Sequence, residues 1–167
     1  MKKIFIAAVL FLITFSRCEK DDICAEGTPT TPQVVIEFFD SDSQLPINVS
    51  KLEVNEFGTS KILNTFDGVS KIKLPLKTMS DLTKYTLKLN AGNTNTALIN
   101  EVHLQFDYIR HDLYVSRACG YKTLFVLNLN SPTFIDSTPA NGSWIESIVI
   151  LKPNILDENE THIKIFL

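Results

Sequence analysis

No catalytic signature runs through this chain of 167 residues. It has no G-x-S-x-G elbow, no H-E-x-x-H pair and no glycine-rich phosphate loop. Histidine is scarce, and His103, His111 and His162 are too scattered to have the spacing of zinc ligands. Asp40-Ser41-Asp42 opens like a calcium loop, but Leu45 stands where the sharp turn needs glycine and Lys51 where the closing glutamate belongs. A turn with side-chain caps is the expectation there, and the chain calls for no metal and no cofactor. Basic residues are also too few for nucleic acid. Lys2, Lys3 and Arg17, three of the 16, fall in the first 17 residues, leaving 13 against 19 acidic side chains. Long hydrophobic runs are lacking too. The uncharged stretch Ile4 to Ser16 has 13 residues, and as a helix it would span about 20 Å of a hydrocarbon core of about 30 Å.

What that short run does fit is an export signal. Met1-Lys2-Lys3 is a cationic start, Ile4 to Ser16 an apolar centre, and Arg17-Cys18 precedes the hydrophilic Glu19-Lys20-Asp21-Asp22. A cysteine directly after the run points to lipid modification of Cys18, with residues 1–17 removed as a lipoprotein signal peptide. Arg17 departs from the small residue usual at that position. An ordinary cleaved signal and an uncleaved membrane stub are the competing readings. Two or more acyl chains on Cys18 would give stable membrane anchoring.

Cysteine is rare, with three in all. If Cys18 carries lipid, Cys24 and Cys119 remain as an even pair in an oxidising compartment, either as a disulfide or as two unrelated buried thiols. The 150 residues from Cys18 onward amount to one domain by length. Residues 18–32, with Thr28-Pro29-Thr30-Thr31-Pro32 at their end, read as the lipidated N-terminus and a polar tether. Residues 33–167 read as the folded part.

From Gln33 the hydrophobic period is two. Val34 to Phe39 is apolar on both faces. Leu52 and Val54 alternate with polar neighbours, and Tyr85, Leu87 and Leu89 share one face. The clearest alternation is Val102, Leu104, Phe106 and Tyr108 against His103, Gln105 and Asp107. Asp67-Gly68 predicts a hairpin between Ile62–Phe66 and Val69–Leu74. Arg110-His111-Asp112 predicts a turn, with the chain returning through Leu113 to Arg117. Tyr121–Leu129, Trp144–Leu151 and Thr161–Leu167 complete the strands, and Ser80–Lys84 is the one place that reads as a turn of helix. About eight or nine strands with turn signals between them imply an all-β fold, an antiparallel β-sandwich. The segments are too short for a membrane barrel.

Arg110 and Arg117 are the only arginines after position 17. Both lie on or beside the expected hairpin that carries Tyr108, His111, Asp112, Tyr114 and Cys119. Arginine grips carboxylate or phosphate with two bonds and stacks on aromatic rings. Tyr108, Arg110, Tyr114 and Arg117 therefore form a candidate ligand patch, with Trp144 as a further aromatic. The simpler reading pairs each arginine with a sheet carboxylate such as Asp107 or Asp112. Asp157-Glu158-Asn159-Glu160 reads as a solvated loop.

Several stretches also carry a resemblance: Cys18-Glu19-Lys20-Asp21-Asp22-Ile23-Cys24, Thr31-Pro32-Gln33-Val34-Val35-Ile36-Glu37-Phe38, Tyr114-Val115-Ser116-Arg117-Ala118-Cys119-Gly120-Tyr121-Lys122 and His162-Ile163-Lys164-Ile165-Phe166. Together they resemble an uncharacterised family of small cell-envelope lipoproteins from Bacteroidota. The resemblance implies a cell-envelope lipoprotein and brings no known activity, ligand or catalytic residue; the expected location is the outer membrane, on its periplasmic or cell-surface face. Lys20-Asp21-Asp22 is similar to the acidic export signal of that group, and Asp136-Ser137-Thr138 to its short O-glycosylation motif. The expectation is a lipid-anchored, non-enzymatic envelope protein that binds or scaffolds another envelope component, an envelope protein or a glycan. A small-ligand or glycan receptor is the second reading, and a hydrolase whose site is assembled across the fold is the third.

Overall fold

The computed structural model describes residues 23–134 and 143–167. Cys18, the apolar run before it and Asp136-Ser137-Thr138 lie outside the described residues. The chain divides into two compact units. One comprises residues 31–112 and 123–167; of the other, the described residues are 23–30 and 113–122.

The larger unit is a β-sandwich. β1 (Val34–Phe39) has the β-branched and aromatic composition of a strand enclosed on both faces, and five of its six side chains are buried. It lies inside a four-stranded sheet of order β4 (Lys71–Leu74), β1, β11 (Ile163–Phe166), β9 (Ser147–Ile150). β1 and β11 pair in parallel, Ile36 opposite Ile163 and Phe39 opposite Phe166, and the other pairs of this sheet are antiparallel. The second sheet runs in the order β10 (Asn154–Ile155), β7 (Gly120–Leu127), β6 (Asn100–Ser116), β5 (Leu82–Leu89), β2 (Leu52–Glu56), β3 (Ile62–Phe66). β8 (Thr133–Phe134) adds to β6 at Leu104 and Gln105. Val34, Ile36, Phe38, Ile163 and Ile165 from one sheet meet Leu52, Leu87, Leu104, Phe106 and Phe125 from the other in a single apolar core.

Eleven strands are present among the described residues, above the expected eight or nine. The excess includes the two-residue β8 and β10, too short to show a period. Three local expectations are corrected. First, β3 and β4 do not form a hairpin. β3 pairs with β2 in one sheet and β4 with β1 in the other. Asp67-Gly68 does turn the chain, but its bonds go elsewhere. The Asp67 carboxylate accepts the Lys51 N–H at 3.1 Å and Gly68 N–H donates to Val49 O at 2.9 Å. Gly68 sits at φ +64°, with nothing near the position of an added Cβ. Gly68→Ala should therefore cost only the left-handed backbone penalty of about 1–2 kcal/mol, read as a lower urea midpoint.

Second, β6 does not turn at Arg110-His111-Asp112. It continues as one strand of 17 residues to Ser116. Arg110 bonds to Asp81 and to Thr78 O, and the Asp112 carboxylate accepts the Thr123 hydroxyl at 2.7 Å. The polar side chains that resemble a turn signal here hold an extended strand to its neighbours. Third, Ser80–Lys84 is not helical. Ser80 Oγ accepts the Leu82 N–H, and β5 begins there. A 3-10 turn occurs instead at Thr96–Leu98, capped by Asn95. No helix among the described residues is long and apolar enough to cross a membrane.

Candidate functional site

The candidate patch is distributed between the two units. Tyr108 and Arg110 belong to the sandwich, Tyr114 and Arg117 to the smaller unit. Tyr108 is a core residue, 4% exposed, with its ring edge-on to Phe125 at 5.1 Å. Its hydroxyl lies 2.7 Å from Thr83 Oγ1 and donates to Lys77 O at 2.9 Å. Burial, the largest influence, raises its pKa, opposed by those two hydrogen bonds. Removing this hydroxyl in Tyr108→Phe leaves Thr83 and Lys77 without that partner. The expected cost is about 1–3 kcal/mol, measured by urea unfolding. Arg110 is held by Asp81, whose hydrogen bond is the main reason its pKa is raised. The arginine pairs with a carboxylate, but with Asp81 rather than Asp107 or Asp112. Tyr108 is enclosed, and Arg110 is held to Asp81 and Thr78 O with part of its side chain open to solvent.

In the smaller unit the β6–β7 turn is built by its own residues. Ser116 Oγ accepts the Cys119 N–H at 3.0 Å, and Gly120 takes φ +70°, a conformation that favours glycine. Cys119 is disulfide-bonded to Cys24. The bridge joins the turn to a short N-terminal segment, in which Thr28 N–H and Oγ1 both donate to Ala25 O. Tyr114 and Tyr121 meet edge to face at 5.3 Å and are 56% and 70% exposed. A groove of about 560 Å³ is lined by Ile23, Thr28, Tyr114, Arg117 and Cys119, among others. Arg117 is exposed, and Leu113 and Ile23 add apolar surface. Tyr121, Leu113 and Ile23 were not legible as site residues. Placing them needs the true position of the turn, since only then do Tyr114 and Tyr121 face each other across it.

Two further clusters bear on chemistry. On β5 and β6, His103 Nδ1 lies 3.0 Å from Thr86 Oγ1, and His103 Nε2 lies 3.6 Å from Glu101 Oε1. Thr86 and His103 are register partners, and Asn55 is in register on the far side of Thr86. A hydroxyl beside an imidazole backed by a carboxylate has the ingredients of a proton relay. Thr86, however, is only 5% exposed, on a strand in the middle of a sheet. Phe57 caps His103 edge-on at 5.1 Å. The Thr86–His103 contact links β5 to β6.

His162 is the second. Its backbone N–H donates to Val35 O, and its Nδ1 accepts the Val35 N–H, both at 3.0 Å, so the imidazole extends the β1–β11 ladder. The neutral ring must then carry its proton on Nε2. Next to it, Glu158 accepts the Gln33 N–H at 3.0 Å and pairs with Lys73 at 2.8 Å. The loop Asp157–Glu160, expected to be only solvated, is therefore fastened through Glu158 to Gln33, just before β1, and to Lys73 on β4. Burial pushes the His162 pKa below its ordinary 6.5, an effect added to by Lys152 and opposed by Asp157 and Glu158. The unfolded chain thus binds this proton first. Stability should be full above about pH 6.5 and decline as pH falls from there through the folded pKa. Urea midpoints measured down a pH series should show this slope, and His162→Asn should remove it.

Among the described residues no three His, Cys, Asp or Glu side chains gather to hold a metal. Trp144 is half-buried against the core, its ring 6.2 Å from Phe38. No curated protein and no solved structure gives a significant match to the chain. One family model does match, over residues 51–167, from the start of β2 through β11. By that match the chain belongs to the family of unknown function DUF6452.

Proposed function

We propose that this protein is a lipid-anchored, non-enzymatic cell-envelope protein, attached to the outer membrane through Cys18, whose β-sandwich binds or scaffolds another envelope component. The observation that carries the reading is the Cys24–Cys119 disulfide. A structural disulfide belongs to an oxidising compartment. It uses the two cysteines left over once Cys18 is assigned to lipid, and it fastens the chain six residues after Cys18. The lipoprotein nature of the chain, its bacterial group and its surface exposure rest on the leader sequence and on the resemblance in residues 18–24.

The rest of the molecule fits a binding role better than a catalytic one. Tyr108 and His162 are enclosed and bonded within the sandwich, and the hydroxyl next to His103 is shut away from solvent. Among the described residues the two most exposed aromatic side chains, Tyr114 and Tyr121, lie on the stapled turn. A receptor for a glycan built on Tyr108, Arg110, Tyr114 and Arg117 together loses two of its four members to the sandwich's own bonds.

The test is direct. Wild-type protein from intact cells should carry acyl mass on Cys18 and partition with membranes. Cys18→Ala should lack the acyl mass and leave the membrane fraction. Wild type without acyl mass, together with a Cys18→Ala chain that still partitions with membranes, would overturn the reading.

A further inference from the structure

We infer that the disulfide-stapled turn is itself a membrane-contact surface, with Tyr114, Tyr121, Leu113 and Ile23 seated at the headgroup level of the bilayer and Arg117 and Lys122 reaching lipid phosphates. This rests on the anchoring of Cys18 proposed above and adds a second point of attachment to it. The side chains are of the right kind. Tyrosine pairs an apolar ring with a polar tip and is enriched where lipid meets water. Here two tyrosines stand edge to face with most of their surface open, beside Ile23 at 76% and Leu113 at 48% exposure.

The local charge is mixed. On the turn itself the charged side chains are Arg117 and Lys122, while the N-terminal segment carries Glu26 and, before Cys24, Glu19, Asp21 and Asp22 against Lys20. Each cation near an anionic lipid surface is worth about 1 kcal/mol. The length of chain before the turn selects the occupant. Glu19 to Ile23 are the five residues between Cys18 and the bridged Cys24, and the six steps from one cysteine to the other reach about 21 Å fully extended. An acylated Cys18 therefore holds Cys24, the bridged end of the stapled turn, within that distance of the lipid surface at all times. A second copy or a glycan has no such enforced proximity.

The experiment uses the full exported chain in vesicles of phosphatidylethanolamine and phosphatidylglycerol, with and without lipid brominated high on the acyl chain. Trp144 is the one native tryptophan and supplies the baseline. Tyr121→Trp adds a reporter at an exposed position. The added emission should shift to the blue in vesicles and be mostly lost in brominated lipid, while the Trp144 baseline holds. Acyl mass and flotation with vesicles are read on the same samples, so the two claims separate. A chain that carries acyl mass and floats but keeps its added emission in brominated lipid leaves the anchor standing and overturns the seating of the turn. A chain without acyl mass refutes the anchor. In that chain quenching still supports the turn's own affinity for lipid, and unchanged emission overturns it. Unquenched emission together with a dimer in detergent, or with a shift on adding oligosaccharide, assigns the surface to a second copy or to a glycan and overturns the inference.

Discussion

A chain carrying Cys24→Ser and Cys119→Ser is expected to lose about 4–5 kcal/mol of unfolding free energy, the largest effect of any change outside the sandwich core. The reasoning concerns the unfolded state. The two cysteines are 95 residues apart, so the bridge removes a large set of open conformations from the denatured ensemble. Loop-closure entropy grows with the logarithm of that separation. The folded state is affected far less. Cys24 and Ala25 are exposed, and the described N-terminal segment has only its own turn. Urea unfolding of the oxidised wild type, the reduced wild type and the double variant should place the last two together, well below the first. Equal midpoints for oxidised and reduced protein would mean that the unfolded chain gains no freedom from the cut. Free-thiol labelling after denaturation gives the matching chemical result, with no reactive thiol from Cys24 or Cys119 in the oxidised chain.

How much of this was legible in the sequence depends on whether a feature is set by neighbours or by partners. The alternation in Val102 to Tyr108 and the doubly apolar Val34 to Phe39 are local, and both elements appear as expected. The disulfide was legible by counting, because removing Cys18 leaves a pair. The Asp67-Gly68 turn was legible as a turn but not as a crossover. The dipeptide specifies backbone geometry, whereas the destination of each arm depends on where Val49 and Lys51 lie. Tyr108 is the instructive case. The alternation that puts Phe106 inside puts Tyr108 inside as well, so its place in a solvent-facing patch conflicts with its own parity. Arg110 was legible as a paired residue, but its partner Asp81 is 29 residues earlier, across a β5–β6 pairing that no spacing specifies. The stapled turn was hidden for the opposite reason. Arg110-His111-Asp112 offers one turn former, Asp112, just as Arg117-Ala118-Cys119-Gly120 offers Gly120, and it is cross-strand bonds that keep the first extended.

The second large effect belongs to the core. Phe106→Ala is expected to cost about 3–5 kcal/mol, the range for deleting a buried phenylalanine ring. Phe106 is fully buried on β6, the strand that carries β5 on one edge and β7 and β8 on the other. Its ring meets Tyr85 edge-on at 5.8 Å, and two residues along the strand Tyr108 meets Phe125 in the same way at 5.1 Å. Tyr85 in turn donates its hydroxyl to Pro75 O, and burial raises its pKa far above the ordinary tyrosine value. The cavity left by alanine would open between rings held on different strands by main-chain ladders, so the site has little room to collapse. Small domains have about 5–15 kcal/mol in total, so the variant should unfold at a much lower urea concentration and expose its near-ultraviolet aromatic signal early. Ile62→Ala is the internal control. Ile62 lies on the edge strand β3 and is 53% exposed, and its replacement should shift the midpoint by no more than about 0.5 kcal/mol. If the two variants unfold together, Phe106 is not at the centre of the core, and the packing of β6 against the β1 sheet must be redrawn.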